Sequence, residues 1–294
     1  MPRLFTIVIP MYNEEKDIIN CLSSIISQDV ECNVIIVDNN STDNSHNMVK
    51  EFIRNKKNLR LLKCREKGVS FARNKGWKNS QTKYIFFLDA DETLPIGFLR
   101  KLLFLLKKSP EAVSFKVEQR SKRILGKLQK IRLMKPREYH MKLWKKDILE
   151  KLNGYNTYLE TGEDLDIQER TKQKKYHVLD SNLTIYHRPP ETVVEFVHQG
   201  VWFGKGLRIS SKFNSKQKSF MIAANMFFLS PLFFLFLLYF GMNYYLISIC
   251  PFIFIELMKS IYILTKTKDW VSFFIPLYDT TRAFFFLYGL VFKK

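Results

Sequence analysis

Tyr84-Ile85-Phe86-Phe87-Leu88-Asp89-Ala90-Asp91-Glu92 is the stretch on which the fold of this 294-residue chain turns. An apolar run ends abruptly in two carboxylates one residue apart. A short run of this kind, closed by a turn signal, reads as a buried strand. In extended backbone, residues i and i+2 point to the same side, so Asp89 and Asp91 face one ligand together. Two such carboxylates suit a hard divalent cation that also holds phosphate oxygens. A lone Asp-X-Asp is equally an ordinary strand-end turn, so its surroundings decide.

Upstream the pattern alternates. Residues 5–10 form a short apolar strand, and residues 14–28 carry a helical stripe at Ile18, Ile19, Leu22, Ile25 and Ile26. A second strand, 34–37, ends at Asp38, and Ser41 or Asp43 caps a helix over 44–54. Strand 59–62, helix 69–78, strand 84–88 and helix 95–108 follow. This order predicts an α/β fold with a mostly parallel, doubly wound sheet. Such sheets bind ligands beyond the carboxyl ends of their strands. Asn13-Glu14-Glu15, Asp38-Asn39-Asn40 and Asp89-Ala90-Asp91 all lie there. Past Val117 the alternation weakens. A helix end at 148–152 is closed by Asn153-Gly154, and Gly162-Glu163-Asp164-Leu165-Asp166 opens a helix reaching about residue 174. Acids in a first turn complement the helix dipole, but three within four residues exceed that need.

The formal net charge is +19. Nucleic acid and an anionic membrane surface are the partners such a charge suits, beside a merely solvated basic face. Basic residues cluster over 116–146 and 205–218, the second without an acid. Cys21, Cys32, Cys64 and Cys250 have no metal-binding spacing and read as reduced and structural. The start of the chain lacks the pattern of a secretory signal, so the first part is expected in the cytoplasm.

Five motifs, in this order and spacing, resemble the family 2 glycosyltransferases. They are Ile9-Pro10-Met11-Tyr12-Asn13-Glu14-Glu15, Val37-Asp38-Asn39-Asn40-Ser41-Thr42-Asp43, Ala72-Arg73-Asn74-Lys75-Gly76, Leu88-Asp89-Ala90-Asp91 and Gly162-Glu163-Asp164-Leu165-Asp166. The resemblance spans roughly residues 4–205 and implies an inverting enzyme with the A-type nucleotide-sugar-binding fold. It implies that Pro10, Tyr12 and Glu14 lie against the donor nucleotide and that Asp38 accepts from base or ribose. It implies that Arg73 reaches the nucleotide or diphosphate, and that Asp89 contacts ribose or metal. Asp91 is then the ligand of a divalent cation, Mn2+ or Mg2+, with His187 of Tyr186-His187-Arg188 completing the metal or diphosphate site. Asp164 is the general base, supported by Glu163. The segment from Gln199 to Gly206 corresponds to an acceptor-side segment, with Lys205 where an Arg is frequent. His187 has an ordinary structural reading as well. Trp144, Tyr155 and Tyr158 suit the core better than sugar stacking, and His46, His140, His177 and His198 have no catalytic reading.

Residues 220–240 carry no charge and match a bilayer crossing in length. Residues 244–264, with Glu256 and Lys259, and 270–292, with Asp279 and Arg282, are second and third candidates, the third re-entrant or interfacial because of Pro276. The expected organisation is a cytoplasmic glycosyltransferase domain over 1–205, a basic juxtamembrane linker over 206–219, and a membrane region over 220–294 with two or three hydrophobic helices. The chain is expected in the cell membrane as a multi-pass protein with its catalytic domain cytoplasmic. Its partners are a nucleotide-diphosphate sugar, a lipid-linked glycan or glycolipid acceptor, and the membrane. A polyprenyl-phosphate hexose synthase is the alternative enzyme. A basic membrane-tethered nucleic-acid-binding protein explains the charge alone, without a recognised motif, so no nucleic acid is expected.

Overall fold

The computed structural model describes residues 3–121, 123–132, 139–159, 161–209, 258, 261–262, 264–265, 271 and 274–291. The chain divides into two compact units, one of residues 1–119 with 136–188, the other of 120–135 with 189–294.

The first unit opens with β1 (Phe5–Met11), α1 (Ile18–Ile26), β2 (Asn33–Asp38), α2 (Ser45–Phe52), β3 (Leu59–Lys63), α3 (Val69–Lys78) and β4 (Tyr84–Phe87). It continues through β5 (Glu92–Thr93), α4 (Phe98–Leu106) and β6 (Ala112–Gln119). The sheet order 3-2-1-4 is parallel throughout, with Ile9 beside Ile36 and Ile7 beside Phe86. All seven residues of β1 and all four of β4 are buried, as expected of strands covered on both faces. One core layer joins Ile7, Ile9, Ile18, Leu22, Phe86, Phe98 and Phe115. A second, on the other face, joins Val8, Trp77, Ile85, Phe87, Trp144 and Tyr155.

The sheet is mixed over its full width. Beyond β4 it runs through β7 (Tyr139–Lys145), β6, β8 (Val178–His187) and β5. β7 is antiparallel to both β4 and β6, and β5 is antiparallel to β8. β6 is parallel to β8, and of the described strands only β7 and β5 run against the other six. The physical reason is connectivity. A helical crossover brings each strand back parallel to the last; β6 and β8 keep that direction, while β7 and β5 reverse it. α6 (Lys146–Lys151) and α7 (Glu163–Gln173) then lie between β7 and β8. Gly162 precedes α7 with φ +80, a left-handed conformation that glycine adopts without steric cost.

In the second unit, α5 (Ile124–Arg132), α8 (Val193–Ile209) and α9 (Ile275–Val291) are described. Leu128, Phe196, Val271, Ile275 and Tyr278 form its core, and the Tyr278 hydroxyl donates to Gln129 Oε1 at 3.2 Å.

The expected α-helical membrane segments, and with them a multi-pass location in the cell membrane, are corrected. Among the described residues no helix is long and apolar enough to cross a membrane. α9 falls on the third expected segment and has 17 residues. At 1.5 Å per residue it is shorter than the ~30 Å hydrocarbon core. It also carries Arg282 and a fully buried Asp279. Residues 220–240 lie outside the described residues, as do 244–264 apart from 258, 261–262 and 264.

Candidate active site

The loops after β1 and β2 interlock through side chains that the sequence places at both strand ends. Asn13, with φ 57, accepts on Oδ1 from the Thr42 N–H at 2.8 Å. The Glu14 N–H donates to Ser45 Oγ at 2.7 Å, and the Glu15 N–H to Asp43 Oδ2 at 3.1 Å. The loop after β2 is tied to the one after β3 by Asn39, which donates to the Glu66 carbonyl and accepts from the Gly68 N–H at 2.8 Å. Gly68 opens α3, the helix that carries Arg73.

Arg73 is the centre of the site. Its side chain is buried, and its nitrogens fork: Nη2 donates to Asp89 Oδ1 at 2.8 Å, while Nη1 donates to Glu163 Oε1 at 2.7 Å and pairs with Asp164 Oδ1 at 3.0 Å. A planar guanidinium suits such a divided contact. Asp164 is 44% exposed and Glu163 only 8%, so Asp164 is the one open to a ligand. Burial raises the Glu163 carboxyl above its usual range although Arg73 opposes the shift. Burial would lower the Arg73 pKa, but Asp164 and Asp89 outweigh it and raise it further.

Lys142 sits on the other side of Asp89. Its Nζ donates to Asp89 Oδ2 at 2.8 Å and to Glu92 Oε2 at 2.9 Å. Burial works against ionisation of Asp89, yet Lys142 and Arg73 hold its carboxyl well below the usual range. Glu92 is fully enclosed, and burial pushes its carboxyl up to about 7. Its Oε2 also accepts the Asp89 N–H at 2.9 Å, which fixes the turn.

Pairing of β5 with β8, with Glu92 opposite His187, brings a distant histidine to the acidic tip of β4. His187 Nε2 lies 3.2 Å from Asp91 Oδ2, and both side chains are partly exposed. Burial lowers the imidazole pKa, but Asp91 more than compensates and raises it to about 9. The Arg188 N–H donates to the Asp91 carbonyl at 3.1 Å, and Arg188 Nε to Asp17 Oδ1 at 2.7 Å. Glu14 faces this cluster, and burial, then Asp91, Asp17 and Asp89, push its carboxyl up to about 8.

Asp38 belongs to a separate group at the end of β2. It accepts the Ser41 N–H at 2.9 Å and holds His46 Nδ1 at 2.8 Å. Pro10 is buried in β1 beyond the last β1–β4 pair, and Tyr12 is 54% exposed at the strand end. Trp144 and Tyr155 are buried in the core, while Tyr158 is exposed. The segment from Gln199 to Gly206 lies within α8, in the second unit.

Three partners escaped the sequence reading. Lys142 had one signal, a lysine inside the apolar run Met141-Lys142-Leu143-Trp144, because a buried charge needs a partner. Glu92 adjoins the Asp89–Asp91 pair in the chain and has no role of its own in the sequence reading. His46 had no signal, since only the fold brings it to Asp38.

The donor set suits one divalent cation on Asp91 and His187, whose Oδ2 and Nε2 converge from partly exposed side chains. Asp89 fits less well, because both of its oxygens are engaged by cations. Among the described residues, no group of three His, Cys, Asp or Glu is arranged to hold a metal ion. A cation there would need oxygens from a ligand as well.

A mixed α/β sheet that gathers carboxylates, a guanidinium and an imidazole beyond the ends of its strands defines an α/β protein with one charged candidate site. Residues 6–160, more than half of the chain, match Glycosyl transferase family 2, and the chain belongs to that family. Over 88 residues it is 38% identical to an uncharacterised glycosyltransferase, YibD, of Escherichia coli, a match covering 30% of this chain and 26% of that protein. Over 93 residues it is 34% identical to TarS of Staphylococcus aureus, a poly(ribitol-phosphate) beta-N-acetylglucosaminyltransferase, covering 30% of this chain and 16% of that protein. The matches thus span about a quarter or less of these two relatives. The fold is similar to that of S. aureus TarS 1-349 in complex with UDP, with TM-score 0.51 and 20% identity over 73% of this chain and 68% of that one. The TarS complex with UDP-GlcNAc gives 0.52, at 19% identity over 73% and 69%.

Proposed function

We propose that this glycosyltransferase moves a sugar from a nucleoside-diphosphate donor to a hydroxyl of a glycan or lipid-linked acceptor, with inversion at the anomeric carbon. The observation that carries this reading is the division of the Arg73 fork between Asp89 at 2.8 Å and the half-exposed Asp164 at 3.0 Å. Asp164 takes the proton of the acceptor hydroxyl. The new bond forms between that oxygen and the anomeric carbon. The bond from that carbon to the diphosphate oxygen breaks on the opposite face, and a single displacement inverts the centre. Negative charge grows on the leaving diphosphate. Glu14, Tyr12 and Pro10 at the end of β1, and Asp38 at the end of β2, line the side for the nucleotide. Mn2+ or Mg2+ held by Asp91 and His187 would supply electrostatic stabilisation of the leaving group, the imidazole favouring manganese. The uridine nucleotides bound by TarS make UDP-sugars the first donors to try.

The test is a screen of labelled nucleotide sugars against glycan and polyprenyl-phosphate acceptors, with the anomeric configuration of the product read by NMR. Asp164→Asn is expected to bind donor as the parent does and to lose turnover by roughly 10²-fold or more. A retained anomeric configuration, or full turnover by that variant, refutes the reading. Label appearing on polyprenyl phosphate alone assigns the acceptor to the hexose-synthase type.

A further inference from the structure

Lys142 is buried inside the charged cluster. Its ammonium, on β7 and buried, is enclosed by Asp89 at 2.8 Å and Glu92 at 2.9 Å. Asp89 has two oxygens and spends one on each cation: Oδ2 on Lys142, Oδ1 on Arg73. The other end of the Arg73 fork holds Glu163 and Asp164. The four groups form an unbroken series, Lys142, Asp89, Arg73, Asp164, with every contact between 2.8 and 3.0 Å. It links the tip of β4 to the start of α7.

We propose that Lys142 is a positioning residue of the transfer reaction, holding the Asp89 carboxylate in the orientation that keeps the Arg73 fork aimed at Asp164. The proposal rests on the reading of Asp164 as the base. A carboxylate has two rotational alternatives about its last bond, and an isolated Asp89 would be free to turn both oxygens toward Arg73 in a bidentate pair. That geometry would draw the fork toward Asp89 and away from Asp164. Lys142 excludes it by occupying Oδ2. Glu92 in turn fixes Lys142, because the same Glu92 oxygen also accepts the Asp89 N–H at 2.9 Å. The lysine therefore acts through Asp89 on a base it does not touch. Misplacement of such a group by about 1 Å is enough to cost about 10²-fold in rate.

The experiment compares the parent, Lys142→Met, Asp89→Asn and the double variant in steady-state transfer, with nucleotide affinity measured separately by calorimetry and folding by thermal melts. Expected for Lys142→Met is a fall in kcat of about 10- to 100-fold with donor KM and nucleotide Kd within about threefold. The double variant is expected to be no slower than Asp89→Asn, since two residues acting in series are not additive. Should Lys142→Met fail to fold, Lys142→Arg takes its place with the same non-additivity expected. An unchanged kcat, a kcat loss that multiplies with that of Asp89→Asn, or a loss confined to KM overturns the proposal. Absence of transfer by the parent with every donor instead overturns the transferase reading, and this proposal with it.

Discussion

Asp164 lies 3.0 Å from a guanidinium whose other nitrogen is bound to Asp89, so one buried Arg73 is shared by the start of α7 and the tip of β4. Three carboxylates, Asp89, Glu163 and Asp164, pair with it, Asp89 sharing its charge with Lys142 as well. Removing one partner of a buried ion pair leaves an uncompensated charge, at a cost of about 3–5 kcal/mol. Arg73→Gln is therefore expected to lower Tm by roughly 10 °C and to abolish transfer. A melt within 2–3 °C of the parent, on the order of a surface substitution, would show that the acids are satisfied in another way.

Asp91→Ala should remove metal-dependent nucleotide binding while leaving the fold intact. Its side chain is partly exposed, and its partner His187 remains held by the β5–β8 pairing. Calorimetry of a uridine diphosphate with and without manganese measures this. Undiminished enhancement by the metal in the variant would move the cation elsewhere.

The metal-free protein should lose stability as pH rises from 5 to 9. Glu14 ionises near 4.5 in the unfolded chain but at about 8 in the fold. Its contribution is complete below 4.5 and lost as pH rises through 8. His187 goes from 6.5 unfolded to about 9 folded, so its contribution is complete below 6.5 and lost as pH rises through 9. The two act in the same direction. Asp89 is held low, so its effect falls below its ordinary 3.8, outside this window. The His187 share is about 3 kcal/mol at most. Thermal melts in chelator should show the decline, and His187→Gln should make it shallower above 6.5, leaving the Glu14 part that ends near 8.

Gly76→Ala should destabilise the first unit by about 1–3 kcal/mol. A Cβ on Gly76 would sit 2.2 Å from Val8 Cγ1 and 3.3 Å from Val37 Cγ2, both in central strands and fully buried. α3 would have to lift from the sheet, moving Arg73 with it. Denaturant unfolding measures the loss, and Val8→Ala in the same chain should recover part of it. No recovery would locate the strain outside this contact.

Local periodicity carried the sequence reading through β4. Helix 69–78 is α3 as observed, and strands 34–37 and 59–62 are β2 and β3 to within a residue at either end. Apolar stripes at periods of 2 and 3.6 require no distant partner to be legible. The acidic motifs were legible for a similar reason, because a charge directly after an apolar run has no place in the core.

Pairing across the second half of the sheet was not legible. β7 is inserted between β4 and β6 and reverses the direction that earlier crossovers had maintained. Nothing in residues 139–145 specifies that neighbour, since strand partners are chosen by packing and register over the whole sheet. The apolar run over 275–291 misled in the opposite sense, because hydrophobicity alone does not separate a bilayer from a protein core. The core around Tyr278 and Ile275 belongs to the protein itself.

The sequence by itself determined the parallel β1–β4 half, the helix that opens at Glu163, and the identities of Asp89, Asp91, Arg73, Glu163 and Asp164 as a charged set. Tertiary structure alone decided which of them share a partner. Asp89 and Asp164 are 75 positions apart and meet on one guanidinium, while Lys142 and His187 arrive on strands β7 and β8. The physical reason is that spacing in the chain sets local geometry over a few residues. The energy of a buried charge depends instead on every neighbour within a few ångströms, and only the closed sheet supplies those neighbours.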